Sequence, residues 1–213
     1  MAEIDIIGSG HMARGIATRL LHGRNNVRII GRNDTQMRDL IESLGAGATG
    51  AYVGSPLTSN VVILAVPHGA TREVILEYGD GLDGKVVVDI SNPVDFATMD
   101  RLTTEPGTSA AEETAQMLAG RADVVKAFNT TFARTLAAGS VAGQPLDVFI
   151  AGDSETAKEK VSALVAGCGM RPVDTGPLRW ARELEAFMLL VMALQTNPEH
   201  PHFNWDTALK ILP

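Results

Sequence analysis

The sequence predicts an α/β fold: a doubly wound, mainly parallel sheet with a small C-terminal helical or α+β extension. Three observations predict it. Short β-branched runs alternate with helical patterns from one end of the chain to the other, the order expected of parallel strands joined by crossover helices. One run, Val61 to Val66, is apolar throughout, as in a strand buried on both faces. A glycine-rich turn, Gly8-Ser9-Gly10-His11-Met12-Ala13, separates the first strand pattern from the first helical one.

The strands read in order as Glu3–Ile7, Val27–Ile30, Val61–Val66, Lys85–Ile90, Val124–Phe128, Leu146–Ala151 and Met170–Asp174. Pro172 assigns the last of these to a sheet edge, because proline cannot donate to a ladder. Met12, Ile16 and Leu20 recur at helical spacing after the glycine turn. Met37, Leu40, Ile41 and Leu44 mark a second helix with Asp34 as its expected cap. Ser109 with Glu112 has the form of a capping box, and Ser154 or Asp153 caps the helix that carries Val161, Leu164 and Val165. A long helix is expected from about Leu178 to Gln195, apolar on nearly every side between Phe187 and Leu194 and therefore deeply buried or in a subunit interface. The stretch Gly45 to Gly54 reads as a loop holding at most a short strand. The expected organisation is a nucleotide-binding domain over residues 1–128 and a C-terminal part, 129–213, that completes an acceptor cleft and a dimer interface.

Composition narrows the function. The chain has 213 residues and a formal net charge of −7, with 45% hydrophobic residues. A domain of this size buries roughly 70% of the surface its unfolded chain exposes. The acidic balance argues against nucleic-acid binding, which needs a basic face. A single cysteine, Cys168, excludes an intrachain disulfide and a cysteine-rich metal site, and no metal site is expected. No apolar run reaches membrane-spanning length and no signal pattern opens the chain, so a cytoplasmic protein with no membrane partner is expected.

The glycine turn has the form G-x-G-x-x-A of a dinucleotide fingerprint. Gly8 permits the tight turn, Gly10 lets a pyrophosphate approach the backbone, and Ala13 lets helix and strand pack closely. Ser9, His11 and Met12 complete the turn, at the end where free helix N–H groups attract phosphate. The second strand ends in Gly31-Arg32-Asn33, with no acidic residue to bind a ribose 2′-hydroxyl. An arginine there accommodates a 2′-phosphate, so Arg32, aided by Asn33, points to NADP(H). Ala65, Val66 and Pro67 end the third strand, where an open α/β sheet binds its ligand, and are expected to wall the nicotinamide. His68 follows, either as a helix-start residue without a chemical role or as a binding or proton-transfer group. Asn92, after the next strand, either bonds the nicotinamide end or builds a turn before Pro93.

With these motifs, the chain resembles the NADPH-dependent F420 reductases and is similar to the NADPH-binding domain of STEAP metalloreductases. The resemblance is carried by the glycine turn, by Gly31-Arg32-Asn33 and by Val125-Lys126-Ala127-Phe128-Asn129-Thr130. It continues in Val148–Asp153, in Asp174-Thr175-Gly176-Pro177-Leu178 and in Ala208–Leu212. It implies hydride transfer between NADPH and the deazaflavin F420, a small-molecule acceptor stacked on the nicotinamide, in a homodimer. Carried over by motif, Asn129 and Thr130 are expected to stabilise charge on the acceptor ring. Thr131, Phe132, Leu178, Arg179, Arg182 and Leu212 are expected to line its pocket. The archaeal reductases differ by having a histidine-containing motif at Asn129 and a small polar residue at Arg179, and the Lys-Ala-Phe-Asn-Thr run is closer to the STEAP branch. The alternatives are a reductase of flavin, ferric or other small acceptors, and an NADPH-binding sensor without turnover.

Overall fold

The computed structural model describes residues 2–212. In chain order the elements are β1 (Glu3–Ile7), α1 (His11–His22), β2 (Asn26–Gly31), α2 (Asp34–Leu44), β3 (Ala48–Tyr52), β4 (Val61–Leu64), α3 (His68–Tyr78), β5 (Val86–Asp89), α4 (Ala110–Leu118), β6 (Asp123–Lys126), α5 (Ala133–Ala138), the two-residue strands β7 (Ser140–Val141) and β8 (Gln144–Pro145), β9 (Asp147–Gly152), α6 (Glu155–Gly167), β10 (Arg171–Gly176) and α7 (Ala181–Thr196). One eight-stranded sheet has the order β10-β9-β6-β5-β4-β1-β2-β3. The chain thus reverses direction across the sheet after β3, and the switch point lies between β1 and β4.

Buried apolar side chains fill both faces of the sheet. Ile4, Ile6, Ile29, Ile63 and Val88 pack against α1, while Ile7, Ile30, Val62, Leu64 and Val87 pack beneath α3 and α4. This two-sided burial explains the unbroken apolar run of β4. Asp5, the buried charged residue of β1, is satisfied by Arg28 and by the backbone N–H groups of Thr58 and Ser59.

Several expectations are corrected. Residues Ala48–Tyr52 form a full strand, an exposed edge paired in parallel with β2. Small residues disguised it: Gly50 lies under Ile41, where a Cβ would sit 2.4 Å from Cδ1. The cap of α2 is Asn33, whose side chain accepts from the Gln36 N–H, so Asp34 falls inside the helix. Strand β6 stops at Lys126, and Phe128 turns left-handed at φ 62°. The long C-terminal helix begins as a short 3-10 turn at Leu178–Trp180. Within α7, Met188, Val191 and Met192 are buried, but Phe187 and Leu190 are about half exposed, at 50% and 55%. Ser109 and Ser154 cap α4 and α6 as the capping pattern predicts.

One topological fact governs the site. Strand β9 runs antiparallel to β6, with Val125 opposite Gly152 and Lys126 opposite Ala151, and β10 runs parallel to β9.

Candidate active site

At the carboxyl ends of β1, β4, β5 and β6 lies a cleft of about 620 Å³. Its dinucleotide side is built from the turn Gly10-His11-Met12, from Ala65, Val66, Pro67 and His68, and from Ile90, Ser91 and Asn92. Gly8 has φ 126°, and a Cβ there would meet the Ala65 carbonyl oxygen at 2.2 Å, so only glycine fits. Gly10 faces open space, with no atom within 4 Å of a built Cβ. It precedes α1, whose first turn has no side-chain cap, leaving N–H groups free for an anion. A smaller cavity of about 170 Å³ continues past Ser9 and His11 to Arg14, Gln36 and Asp39. A glycine forced by a backbone approach, an open turn and uncapped helix N–H groups together fit a dinucleotide pyrophosphate.

Arg32 stands at the end of β2, exposed, with its guanidinium 2.9 Å from Glu73 of α3. An ion pair this exposed is weak, so it is readily exchanged for a doubly charged phosphate. Asn33 spends its side-chain oxygen on the α2 cap, which leaves its amide group for a ligand.

The opposite wall is apolar. It comprises Phe96, Phe132, Met188, Met192 and Trp205, with Thr131, Ala133 and Arg134 at its edge. Phe132 meets Trp205 edge to face at 5.2 Å. Trp205 is held by Gln195, whose Oε1 accepts from the Trp205 N–H and from Thr207 Oγ1. Arg134 at the rim pairs with Asp206 at 3.1 Å. Gly15 seats this wall against the nucleotide turn, since a Cβ there would lie 2.6 Å from the Ala133 carbonyl oxygen.

Asn92 and Asn129 bridge the two sides. Asn92 Nδ2 donates to the Asn129 carbonyl at 2.8 Å, and Asn129 Nδ2 donates to Asn92 Oδ1 at 3.0 Å. Asn129 Oδ1 and His68 Nδ1 are buried with no hydrogen-bond partner among the described residues. His68 Nε2 lies 3.3 Å from Glu113. A buried unpaired acceptor costs roughly 1–3 kcal/mol, and a ligand donor would relieve it.

Below the bridge sits a fully buried charge cluster. Lys126 Nζ reaches Asp89 at 3.0 Å, Glu185 at 2.6 Å and the Ser91 carbonyl at 2.5 Å. Burial opposes ionisation of Asp89, but Lys126 and the Ser91 donors prevail and hold its carboxyl below the usual range. For Glu185 burial prevails over Lys126 and pushes the carboxyl up. Lys126, opposed by burial, is held protonated by the two carboxylates.

The remaining expected acceptor residues lie elsewhere. Thr130 is buried behind the bridge, and its hydroxyl has no partner among the described residues. Leu178 is packed into the core under α3 and α4. Arg179 lies over the Trp180 ring at 4.1 Å, and Arg182 is bound to Glu112. All three follow β10, which runs antiparallel to β6, and none of them lines the cleft; Arg182 lies on the first turn of α7 against the first turn of α4. Leu212 is exposed, beside the point where Asp147 grips Lys210 and the Ile211 N–H. In their place α7, 16 residues and about 24 Å long, carries Met188 and Met192 back to the cleft. Phe96, Met188, Met192 and Trp205 were missed as site residues, because their membership depends on long-range packing; the apolar run Phe187–Leu194 was the only signal.

Fold and site together define a Rossmann-type nucleotide-binding domain. Residues 3–93, a little under half of the chain, match the family model of coenzyme F420-dependent NADP oxidoreductases. The chain is 34% identical to rat metalloreductase STEAP3, over 89% of this chain but only 37% of that much longer protein. It is 29% identical to the F420-dependent NADP reductase of Methanocaldococcus jannaschii, over 88% of this chain and 89% of that one. Among solved structures, a hypothetical protein of Sinorhizobium meliloti superposes with a TM-score of 0.76 at 30% identity, covering 84% and 86% of the two chains. An Arthrobacter protein provisionally assigned as an F420-dependent NADP reductase superposes over 100% of both chains with a TM-score of 0.86; at 23% identity it supports the fold alone. Among the described residues, no helix is long and apolar enough to cross a membrane. No group of three or more potential metal ligands comes together among them either.

Proposed function

We propose that the protein transfers hydride between NADPH and F420, a planar deazaflavin, within the single cleft. One observation carries this reading. The phosphate-binding turn, the polar Asn92–Asn129 bridge and the apolar aromatic wall line one continuous cavity. Bound there, the nicotinamide supplies the hydride and the deazaflavin accepts it. The chain's own part is positional. Gly8 and Gly10 hold the pyrophosphate, Arg32 takes the 2′-phosphate in exchange for Glu73, and Val66 and Pro67 back the nicotinamide. Asn129 Oδ1, buried and without a partner among the described residues, would accept from the nicotinamide amide group. Phe132, Met188 and Trp205 form the apolar wall that would exclude water and hold an acceptor ring over the nicotinamide. His68 directs Nε2 at Glu113 and keeps a buried Nδ1 without a partner among the described residues beside the cleft. Arg134 is the cation that meets an acidic acceptor tail once it leaves Asp206.

The second reading is a flavin or ferric reductase, favoured by the 34% identity to STEAP3. A sensor without turnover is disfavoured by an aromatic wall that NADPH alone does not need. The exposed Phe187 and Leu190 on α7 support a homodimer, to be checked by light scattering at tens of micromolar. The deciding experiment is NADPH oxidation against F420, FMN, FAD and ferric chelates in parallel. F420 turnover exceeding the others is expected; FMN turnover without F420 activity would establish the second reading and retire the first.

A further inference from the structure

We infer that Lys126 is a positioning residue for the nicotinamide end of the site, acting through the backbone of Ser91 and the Asn92–Asn129 bridge. The inference rests on the NADP reading above and adds a function for a cluster that the hydride-transfer chemistry leaves unused. Three ionisable side chains, Lys126, Asp89 and Glu185, are buried to within 1% of complete. Burying such a set is expensive, and apolar side chains of the same volume are often as stable or more so; registry is the best-attested reason to keep one.

The contacts show what is being registered. Lys126 spends its three N–H groups on three separate segments: Asp89 in β5, the Ser91 carbonyl in the following loop, and Glu185 in α7. Asp89 in turn accepts from the Ser91 N–H and hydroxyl, both at 2.8 Å, and from Thr114 of α4 at 2.9 Å. The loop is thereby gripped at Ser91 through both backbone groups, one residue before Asn92. On the other strand Asn129 follows Lys126 by three residues, and between them Phe128 occupies the left-handed region at φ 62°. A bulky residue there is strained and persists only where its surroundings over-determine it. Strain and buried charge thus converge on the two segments that meet at Asn92 and Asn129, where an unpaired Oδ1 awaits a donor. Glu185 also accepts from the Ala110 N–H at 2.9 Å and precedes Met188 by three residues on the same helix. It ties the acceptor wall to the same ammonium group.

The test separates the nicotinamide end from the rest of the cofactor. Wild type, Lys126→Met and Glu185→Gln are titrated with NADP⁺ and with 2′,5′-ADP, which keeps the adenosine and both its phosphates but lacks the nicotinamide. For Lys126→Met, NADP⁺ affinity falls about tenfold, which is about 1.4 kcal/mol, while 2′,5′-ADP affinity stays within about twofold. The blue-shifted emission of bound NADPH moves toward that of free NADPH. If Lys126→Met fails to fold, Glu185→Gln decides, since it keeps the Lys126–Asp89 pair and removes one acceptor. It is expected to weaken NADP⁺ by about threefold, the size of one net hydrogen bond, and to leave 2′,5′-ADP unchanged. Equal loss for both ligands, or no change in either, overturns the inference. Failure of wild type to bind either ligand defeats the NADP reading itself, and is visible before any variant is made.

Discussion

The two sides of the cleft are built by different means. The nucleotide side is local: one strand, one turn and one helix within residues 3–22 supply the phosphate site, and each part is adjacent in sequence to the next. The acceptor side is assembled from the loop around Phe96, from the segment Asn129–Arg134, from α7 and from Trp205, which are separated by tens of residues. The first side depends on backbone conformation and free N–H groups. The second depends on side-chain volume and on a tail held at two points. Changes on the first side should therefore be severe and cofactor-specific, and changes on the second milder and acceptor-specific.

The largest expected effect is at Gly8. Gly8→Ala sets a Cβ 2.2 Å from a carbonyl oxygen at φ 126°. Backbone strain alone costs about 1–3 kcal/mol, and the clash adds to it. NADPH binding, followed by nicotinamide fluorescence, should be abolished and Tm should fall. Retained binding would show that the turn is not the phosphate site. Next comes Arg32→Ala, expected to weaken NADPH by about 1.5–3 kcal/mol, as for a lost hydrogen bond to a charged group, with NADH little changed. Parallel loss for both cofactors would remove Arg32 from the 2′-phosphate.

Trp205→Ala probes the other side. It should raise the acceptor KM by about tenfold, for loss of roughly 1–1.5 kcal/mol of aromatic contact, and leave NADPH affinity unchanged. An equal change in both would mean that the two sides are not separable. Acid titration sharpens the same point at the tail. Burial would raise the Asp147 carboxyl, but Arg171, Lys210 and the Ile211 N–H pull it down to about 2. A depressed pKa gives stability that is present above the unfolded value near 4 and lost as pH falls toward 2; a shift of this size is about 2 kcal/mol. Asp147→Asn should flatten the stability profile over that window, as read by urea unfolding at several pH values. The smallest effect is a gain: Glu73→Gln frees Arg32 and should tighten NADPH by about 0.2–1 kcal/mol, the usual worth of an exposed pair.

The same contrast explains what was legible in the sequence. The placement of Gly8, Gly10, Arg32, Val66 and Asn92 at the carboxyl ends of the strands could be read because it follows from position relative to one strand end. Ser109 and Ser154 were legible as caps for the same local reason. Leu178, Arg179 and Arg182 do not line the cleft, and nothing in their own segment shows that β9 enters antiparallel, a relation set by its pairing with β6. Strand β3 was hidden by its small residues at an exposed edge. Trp205 gave no signal, since a tail residue acquires its place only through Gln195 and Phe132.

The central claim is that both ligands meet in one dry cleft, so that hydride passes directly between them. NADPH deuterated at the transferred position of C4 tests it, with the reduced F420 analysed by mass spectrometry after turnover in ordinary water. Direct transfer predicts one deuterium per reduced F420, with no wash-out to solvent. Oxidation of NADPH with the label lost to water, or F420 reduction without deuterium, would contradict the account.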